Sequence, residues 1–388
     1  MNERKGTIVR SIIFYLSNIV YKVLTLIPIV NNRIILECDY GKGFYGNLLY
    51  IYKEIKKQDL QVEIIIPLNR GVKIDLEKET GVKLVTTRSL THLYYLATSK
   101  YWITNNHYYH FLRKRKDTTM INTWHALGAF KRFGLDSAKG DDIARFKKDG
   151  ENINHLLVSS ENLKDIYSEA LNVPKDRILS LGIPRTDPLF NKEYKENIKS
   201  DFLIRYKEAN NKKLILYAPT FRDNEKKRFN LKLDLPKLKA ALGEDYKILL
   251  KLHPIIRDKD IIPEDMKDFV LDVNEENIND LMIASDILIT DYSSVIFEYA
   301  LLKKPMIFFA YDYENYKENL RNFYYPFEEF VPGPIVKTTE EILTELQNDE
   351  FSMNKVEEFS KKFCDFTDGK SSERFVNRFL KEYEAFIK

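Results

Sequence analysis

The sequence predicts an α/β protein of two doubly wound, Rossmann-like halves facing a central cleft. Three observations predict it. Short β-rich runs alternate with helical stretches from residue 33 to residue 187, the pattern of a parallel sheet with crossover helices. The alternation stops at a charged helix near 191–208 and then restarts, giving a second half of similar size. Each candidate polar cluster falls just after a strand, where sheets of this class bind ligands. A length of 388 residues also favours two domains.

The elements follow in order. SIIFYLSNIVYKVLTLIPIV (11–30) is apolar with one charge, Lys22, and no small-residue cleavage site follows. Ile12, Leu16, Ile19, Val23 and Leu26 recur at helical spacing. With Arg4, Lys5, Arg10 and Lys22 nearby, this reads as an amphipathic helix lying on an anionic membrane surface. A helix packed on the protein itself, or one that spans, are the alternatives. Strands are expected at 33–38, 62–67, 82–87, 101–105, 119–124, 155–160 and 178–187, then at 213–222, 246–254, 269–273, 285–291, 305–310 and 333–338. The implied domains are a membrane-association segment (1–30), an N-terminal acceptor domain (31–190), a C-terminal donor domain (191–352) and a helical tail (353–388).

Composition excludes several classes. A net charge of +3 is not the balance of a nucleic-acid-binding domain. Cys38 and Cys364 lie far apart and read as two reduced thiols. There is no GxxxxGK[ST], no HExxH and no cysteine cluster. Asp258–Asp260 reads as solvated surface, and His107 and His110 as ordinary polar loop residues. No cofactor or metal site is expected, which leaves a divalent cation only the substrate's own phosphates.

The strand-end residues carry the chemistry. His125 follows TMINTW, Arg185 and Asp187 follow ILSLGIP, Thr220 and Arg222 follow LILYAP, and His253 follows KILLKL. In DILITDYSSVIFEYALLKKP, Asp291 ends a strand, while Ser293 and Ser294 open a helix that carries Glu298 one turn in. Such a helix start binds phosphate through its unpaired N–H groups, and Glu298 is placed to accept from ribose hydroxyls. A plain helix cap is the alternative.

The blocks NTWHALGAFKRFG, GIPRTD, YAPTFRD, KLHP, TDYSSVIFEYALLKKPMIFFAYD and PGPI occur in the order and spacing of the CDP-glycerol glycerophosphotransferases, the teichoic-acid primases and polymerases of Gram-positive cell walls. The sequence resembles this family over about residues 30–380. The resemblance implies a GT-B enzyme attached peripherally to the cytoplasmic face of the cell membrane. Such an enzyme moves sn-glycerol 3-phosphate from CDP-glycerol to an undecaprenyl-diphosphate-linked disaccharide, or its glycerophosphate derivative, and releases CMP. His125 and His253 match the family's two histidines, the first taken as general base. Thr220, Arg222, Ser293, Ser294 and Glu298 match its nucleotide and pyrophosphate side. Lys131 and Arg132 are expected to meet the acceptor's phosphates or the membrane, and the small residues before them to let substrate approach. TWHALGAF replaces the TWHGTP of many members and looks closer to the priming enzymes, which implies limited addition rather than polymerisation. CDP-ribitol as donor, a nucleotide-sugar glycosyltransferase or epimerase, and an inert membrane scaffold are the rival readings.

Overall fold

The computed structural model describes residues 2–76, 79–109, 111–222, 229–253, 255–256, 261–319, 323–348 and 350–381, with 2–12 and 317–319 as backbone. His110 and Asp258–Asp260 lie outside the described residues. The chain forms two compact units. The first takes residues 1–127, 133–187 and 368–388; the second takes 128–132 and 188–367.

The first unit holds seven parallel strands: β1 (Val30–Glu37), β2 (Glu63–Leu68), β3 (Val82–Thr86), β4 (Ser99–Thr104), β5 (Thr119–Asn122), β6 (His155–Val158) and β7 (Ile178–Ser180). Their order, β3-β2-β1-β4-β5-β6-β7, reverses between β1 and β4. With helices on both faces, parallel strands are near-continuous apolar runs: Ile34, Ile35 and Leu36 of β1 and Ile64, Ile65 and Ile66 of β2 are all buried. The helices are α1 (Asn2–Leu24), α2 (Gly46–Lys57), α3 (Leu90–Thr98), α4 (Asp141–Asn152) and α5 (Lys164–Leu171).

The second unit repeats the plan with β8 (Lys213–Ala218), β9 (Tyr246–Leu250), β10 (Val270–Asp272), β11 (Ile287–Thr290), β12 (Met306–Phe309) and β13 (Ile335–Val336). The order is β10-β9-β8-β11-β12-β13, all parallel, with the reversal between β8 and β11. Its helices are α6 (Lys192–Arg205), α7 (Leu235–Leu242), α8 (Ile278–Ala284), α9 (Val295–Leu301), α10 (Tyr313–Asn319), α11 (Phe327–Phe330), α12 (Thr339–Asn348) and α13 (Met353–Phe363). A last helix, α14 (Ser371–Phe379), returns to the first unit.

Three expectations change here. The tail at 353–388 is not one element. Val356, Phe359 and Phe363 make an apolar stripe on α13, which packs on α9 in the second unit. Phe375, Val376 and Phe379 of α14 instead join Leu48, Ile51 and Ile55 of α2 in the first core. The expected strands at 178–187 and 333–338 shrink to three and two residues: the chain turns at Gly182, φ +76°, and Pro334 just before β13 has no N–H for the ladder.

The run 128–132 belongs to the second unit although its neighbours on both sides belong to the first. Phe130 explains this. Its ring stacks on Phe323 and Phe330, each at 4.9 Å, its carbonyl accepts from the Tyr324 N–H at 3.0 Å, and Lys131 bridges Phe323 in antiparallel fashion. Burying one such ring contributes about 1.5–3 kcal/mol. Gly128 is small because the Phe297 ring presses on it: an added Cβ would lie 2.2 Å from that ring. The small residues were expected to admit substrate; Gly128 admits Phe297 instead.

The N-terminal helix starts earlier than its apolar run, at Asn2. Its buried face is Phe14, Asn18 and Tyr21. Phe14 stacks on Phe111 at 4.4 Å, the Asn18 amide donates to the Phe111 carbonyl, and Tyr21 meets Trp102 edge-on at 6.3 Å. The helix lies against α3. The stripe read from periodicity points the other way: Leu16, Ile19, Val23 and Leu26 are 53%, 42%, 60% and 83% exposed. Among the described residues no helix is long and apolar enough to cross a membrane.

Candidate active site

Doubly wound sheets bind ligands beyond the carboxyl ends of their strands, at the point where strand order reverses. In the first unit that point lies between β1 and β4. Asp39 follows β1, while Asn105, Asn106 and His107 follow β4; His125 follows the adjacent β5. The Asp39 N–H donates to Asn105 Oδ1 at 2.9 Å and Asn106 Nδ2 donates to Asp39 Oδ1 at 3.3 Å, so these loops are tied together.

His125 is presented by a strained turn. Trp124 has φ of +50°, a left-handed conformation that costs a bulky residue about 1–3 kcal/mol. Three groups hold it there. Asn122 Oδ1 accepts from the Trp124 N–H at 2.7 Å. The buried Asn47 amide donates to the carbonyls of Thr123 and Trp124 at 3.2 and 2.9 Å. Phe133 packs the indole at 5.4 Å. The Asn47 carbonyl oxygen also takes the Arg185 N–H at 3.1 Å, which brings Arg185 into electrostatic reach of His125.

The partner of His125 sets its tautomer. Nδ1 lies 3.1 Å from the Asn105 carbonyl. A carbonyl can only accept, so Nδ1 carries the proton and Nε2 keeps its lone pair. The ring has an open face, but the protein crowding its other sides disfavours the charged form and lowers its pKa below 6.5. The Asn105 carbonyl opposes that shift, and the Arg185 charge adds to it. His125 is therefore a neutral imidazole near pH 7.

In the second unit the reversal lies between β8 and β11, at Thr220 and at Asp291–Ser294. The Thr220 hydroxyl is buried with no hydrogen-bond partner among the described residues. Ser294 sits at the N-cap of α9, yet its hydroxyl makes no cap bond and its side chain is exposed. Ser293 Oγ accepts from the Val295 N–H at 3.3 Å. Glu298 is buried in the first turn of α9.

His253 follows β9 and has the opposite tautomer. Its Nδ1 accepts from the Ile255 N–H at 3.2 Å, so Nε2 carries the proton and donates. Its side chain is exposed, but the protein on the covered side of the ring disfavours the charged form and lowers its pKa below 6.5, and the nearby Lys131 charge lowers it further. Lys131, expected on the acceptor side or at the membrane, thus lies beside His253, with its ammonium 5.3 Å from the Tyr316 ring centre. Arg132 is exposed, near the Tyr324 ring. The cause is the docking of Phe130, which carries both cations into the second unit.

Three expected substrate ligands are structural. Arg222 is buried in a knot. It pairs with Asp312 through Nε and Nη2 at 2.8 and 2.9 Å, with Asp291 at 3.0 Å, and donates to the Thr220 carbonyl at 2.6 Å. Tyr292, Tyr311 and Tyr316 flank its guanidinium. Burial alone would lower its pKa, but the two carboxylates outweigh burial and raise it. Asp291 has both oxygens committed, one to the N–H groups of Thr220 and Tyr292 and the other to Arg222. Asp187 accepts from the N–H groups of Ser371 and Ser372, each at 2.8 Å, and so caps α14. Beside this knot Ser294 and His253 are exposed and Ser293 is half-buried, while the Thr220 hydroxyl is covered.

His107 was read as an ordinary polar residue, and Asp149 went unnoticed. They form a hydrogen-bonded pair, His107 Nδ1 to Asp149 Oδ2 at 2.7 Å. The available signal was that His107, like His125, follows a strand end.

Known proteins resemble this chain. A family model described as CDP-Glycerol:Poly(glycerophosphate) glycerophosphotransferase matches residues 19–381. The chain is 36% identical over 378 residues to the teichoic acid ribitol-phosphate primase of Bacillus spizizenii, covering 93% of this chain and 95% of that one. It is 34% identical over 367 residues to the teichoic acid poly(ribitol-phosphate) polymerase of the same organism, covering 93% of this chain but spanning only 58% of the polymerase. Among solved structures, the wall teichoic acid polymerase TagF superposes with a TM-score of 0.84 at 28% identity, covering 100% of this chain and 99% of that chain. A single-site variant of that polymerase soaked with CDPG superposes with a TM-score of 0.82.

Proposed function

Because the chain belongs to the CDP-glycerol:poly(glycerophosphate) glycerophosphotransferase family, we propose that it is a transferase of teichoic acid synthesis, moving glycerol phosphate from CDP-glycerol to a hydroxyl of a lipid-linked acceptor and releasing CMP. The observation that carries this reading is the pair of opposite histidine tautomers, each at a strand end. Nε2 of His125 has a lone pair to take the acceptor's proton. Nε2 of His253 has a proton to give to a phosphate oxygen. The acceptor oxygen bonds to the glycerol-bearing phosphorus, the bond from that phosphorus to the bridging oxygen breaks, and CMP leaves with that oxygen. Transfer of this kind is mostly positioning and charge stabilisation. His253, Lys131, the Thr220 hydroxyl and the hydroxyls at the start of α9 supply it. The test is CMP release from CDP-glycerol with a lipid-diphosphate disaccharide acceptor.

A second reading has CDP-ribitol as donor, favoured by the near full-length match to a ribitol-phosphate primase. Comparing CMP release from the two donors decides between them. The same near full-length match, with the TWHALGAF form of the first block, supports addition of one or few units. A ladder of products at high donor excess would overturn that.

His253→Ala should weaken CDP-glycerol binding about tenfold or more and also slow turnover, since a charge-assisted hydrogen bond contributes about 1.5–3 kcal/mol. Calorimetry showing wild-type donor affinity would remove His253 from the donor site.

We place the protein on the cytoplasmic face of the cell membrane through the exposed row Leu16, Ile19, Val23 and Leu26, an apolar stripe that water-facing surfaces rarely keep. Replacing Leu16, Val23 and Leu26 together by Ser should abolish co-sedimentation with phosphatidylglycerol vesicles. Phe14, Asn18 and Tyr21 are left intact, so α1 stays on α3. Unchanged sedimentation would refute this attachment.

A further inference from the structure

His107 stands three residues beyond β4, at the strand-order reversal of the first sheet. Its Nδ1 meets Asp149 Oδ2 at 2.7 Å. That carboxylate is 3% exposed, and its other oxygen accepts from the Tyr108 N–H at 3.0 Å. A carboxylate partner puts the proton on Nδ1 and leaves the lone pair on Nε2. Phe146 stacks on the ring at 4.2 Å and 7°, which fixes its plane. Phe146 and Asp149 both come from α4, where only Asp149 and Gly150 are buried. Two residues of this surface helix thus hold the His107 ring, one by a hydrogen bond and one by stacking. Among the described residues Nε2 has no hydrogen-bond partner, and the side chain keeps 15% of its surface open.

The ring is also close to the base. The Trp124 indole lies 5.4 Å from the His107 ring and 4.3 Å from the His125 ring, and the two imidazoles are within electrostatic reach. Both are fixed with Nε2 as acceptor, one by a carbonyl and the other by a carboxylate. Polyols and sugars offer several hydroxyls of similar reactivity, and a base alone does not choose among them. A second fixed acceptor beside it does, because a site built to bond a hydroxyl strongly rejects an analogue lacking it.

We infer that His107, oriented by Asp149, is the second imidazole of the acceptor site: its Nε2 accepts a hydrogen bond from the hydroxyl neighbouring the one that His125 deprotonates, and so selects which hydroxyl attacks. This rests on the transferase reading above. It adds a specificity residue that carries no proton away and forms no bond to phosphorus.

The test measures acceptor kcat/KM at saturating CDP-glycerol, on a lipid-diphosphate disaccharide acceptor and on its analogue lacking the neighbouring hydroxyl. His107→Ala should lower acceptor kcat/KM by roughly 10- to 100-fold, the loss of one such bond. Asp149→Asn should do the same, because an amide N–H facing Nδ1 moves the ring proton to Nε2. Both should leave the calorimetric Kd for CDP-glycerol within about twofold. Wild type should lose the same factor on the deoxy analogue, and His107→Ala should lose nothing further. Discrimination of the analogue by His107→Ala as strong as by wild type would overturn the inference. So would acceptor kcat/KM within about twofold of wild type in Asp149→Asn. Absence of CMP release by wild type would instead strike the transferase reading itself.

Discussion

His125→Ala is expected to slow transfer by about 10²–10⁴-fold while leaving the Kd for CDP-glycerol nearly unchanged. The size follows from the role. An alcohol is a poor nucleophile at neutral pH, and engaging Nδ1 of this ring with the Asn105 carbonyl leaves a lone pair on Nε2 to take its proton. Its pH behaviour follows from the same surroundings. Crowding by protein lowers the pKa below 6.5, and a base works only while neutral. The acid limb of kcat/KM should therefore lie below the ordinary histidine value, with activity lost as pH falls through it. His253 does not produce this limb, because protonating it adds a donor and removes none. Near-normal turnover in His125→Ala on saturating substrates, or an acid limb above 6.5, would end the base assignment.

Arg222→Met is expected to destabilise the second unit by about 3–5 kcal/mol, the usual result of removing one partner from a buried ion pair. Asp291 and Asp312 would keep their charges with no cation between them, and three tyrosine rings would lose the guanidinium they flank. The loops after β8 and β11 are both tied to this knot, through the Thr220 N–H and the Tyr292 N–H. Donor binding should fall as well, although Arg222 is not assigned a contact with the donor. Urea unfolding followed by tryptophan fluorescence would report mostly the first unit, where both tryptophans lie. Hydrogen exchange of β8 and β11 amides is the better measure. Protection within 1 kcal/mol of wild type would show that the knot contributes little.

Much of the fold was legible because buried parallel strands are written as apolar runs, and the reversal points follow from strand order. The site was legible only in part. A polar residue at a strand end can face a ligand or fasten a loop, and sequence does not separate the two. Asp187 is fastened to Ser371 and Ser372 and Arg222 to Asp312, partners at separations that leave no local signal. Lys131 was misplaced for another reason. Its position is decided by the neighbouring Phe130, and nothing in a run of small residues and cations announces that an aromatic ring will plug into the other unit. His107 was missed although the rule used for His125 applied equally to it; its carboxylate lies 42 residues away. The periodicity of the N-terminal helix identified a real apolar face but not what covers it, since Phe14, Asn18 and Tyr21 make the protein contacts.

The return of α14 to the first unit has a consequence for synthesis on the ribosome. Domains usually fold as they emerge, the earlier one first. Here the second unit is closed by residue 367, while the first still lacks α14, the partner of α2. At about 5–20 residues per second, the part of α2 that α14 covers stays bare for roughly 10–40 s after residue 187 has been made. The later-made half matures first, and the nascent chain offers chaperones a hydrophobic surface throughout that interval.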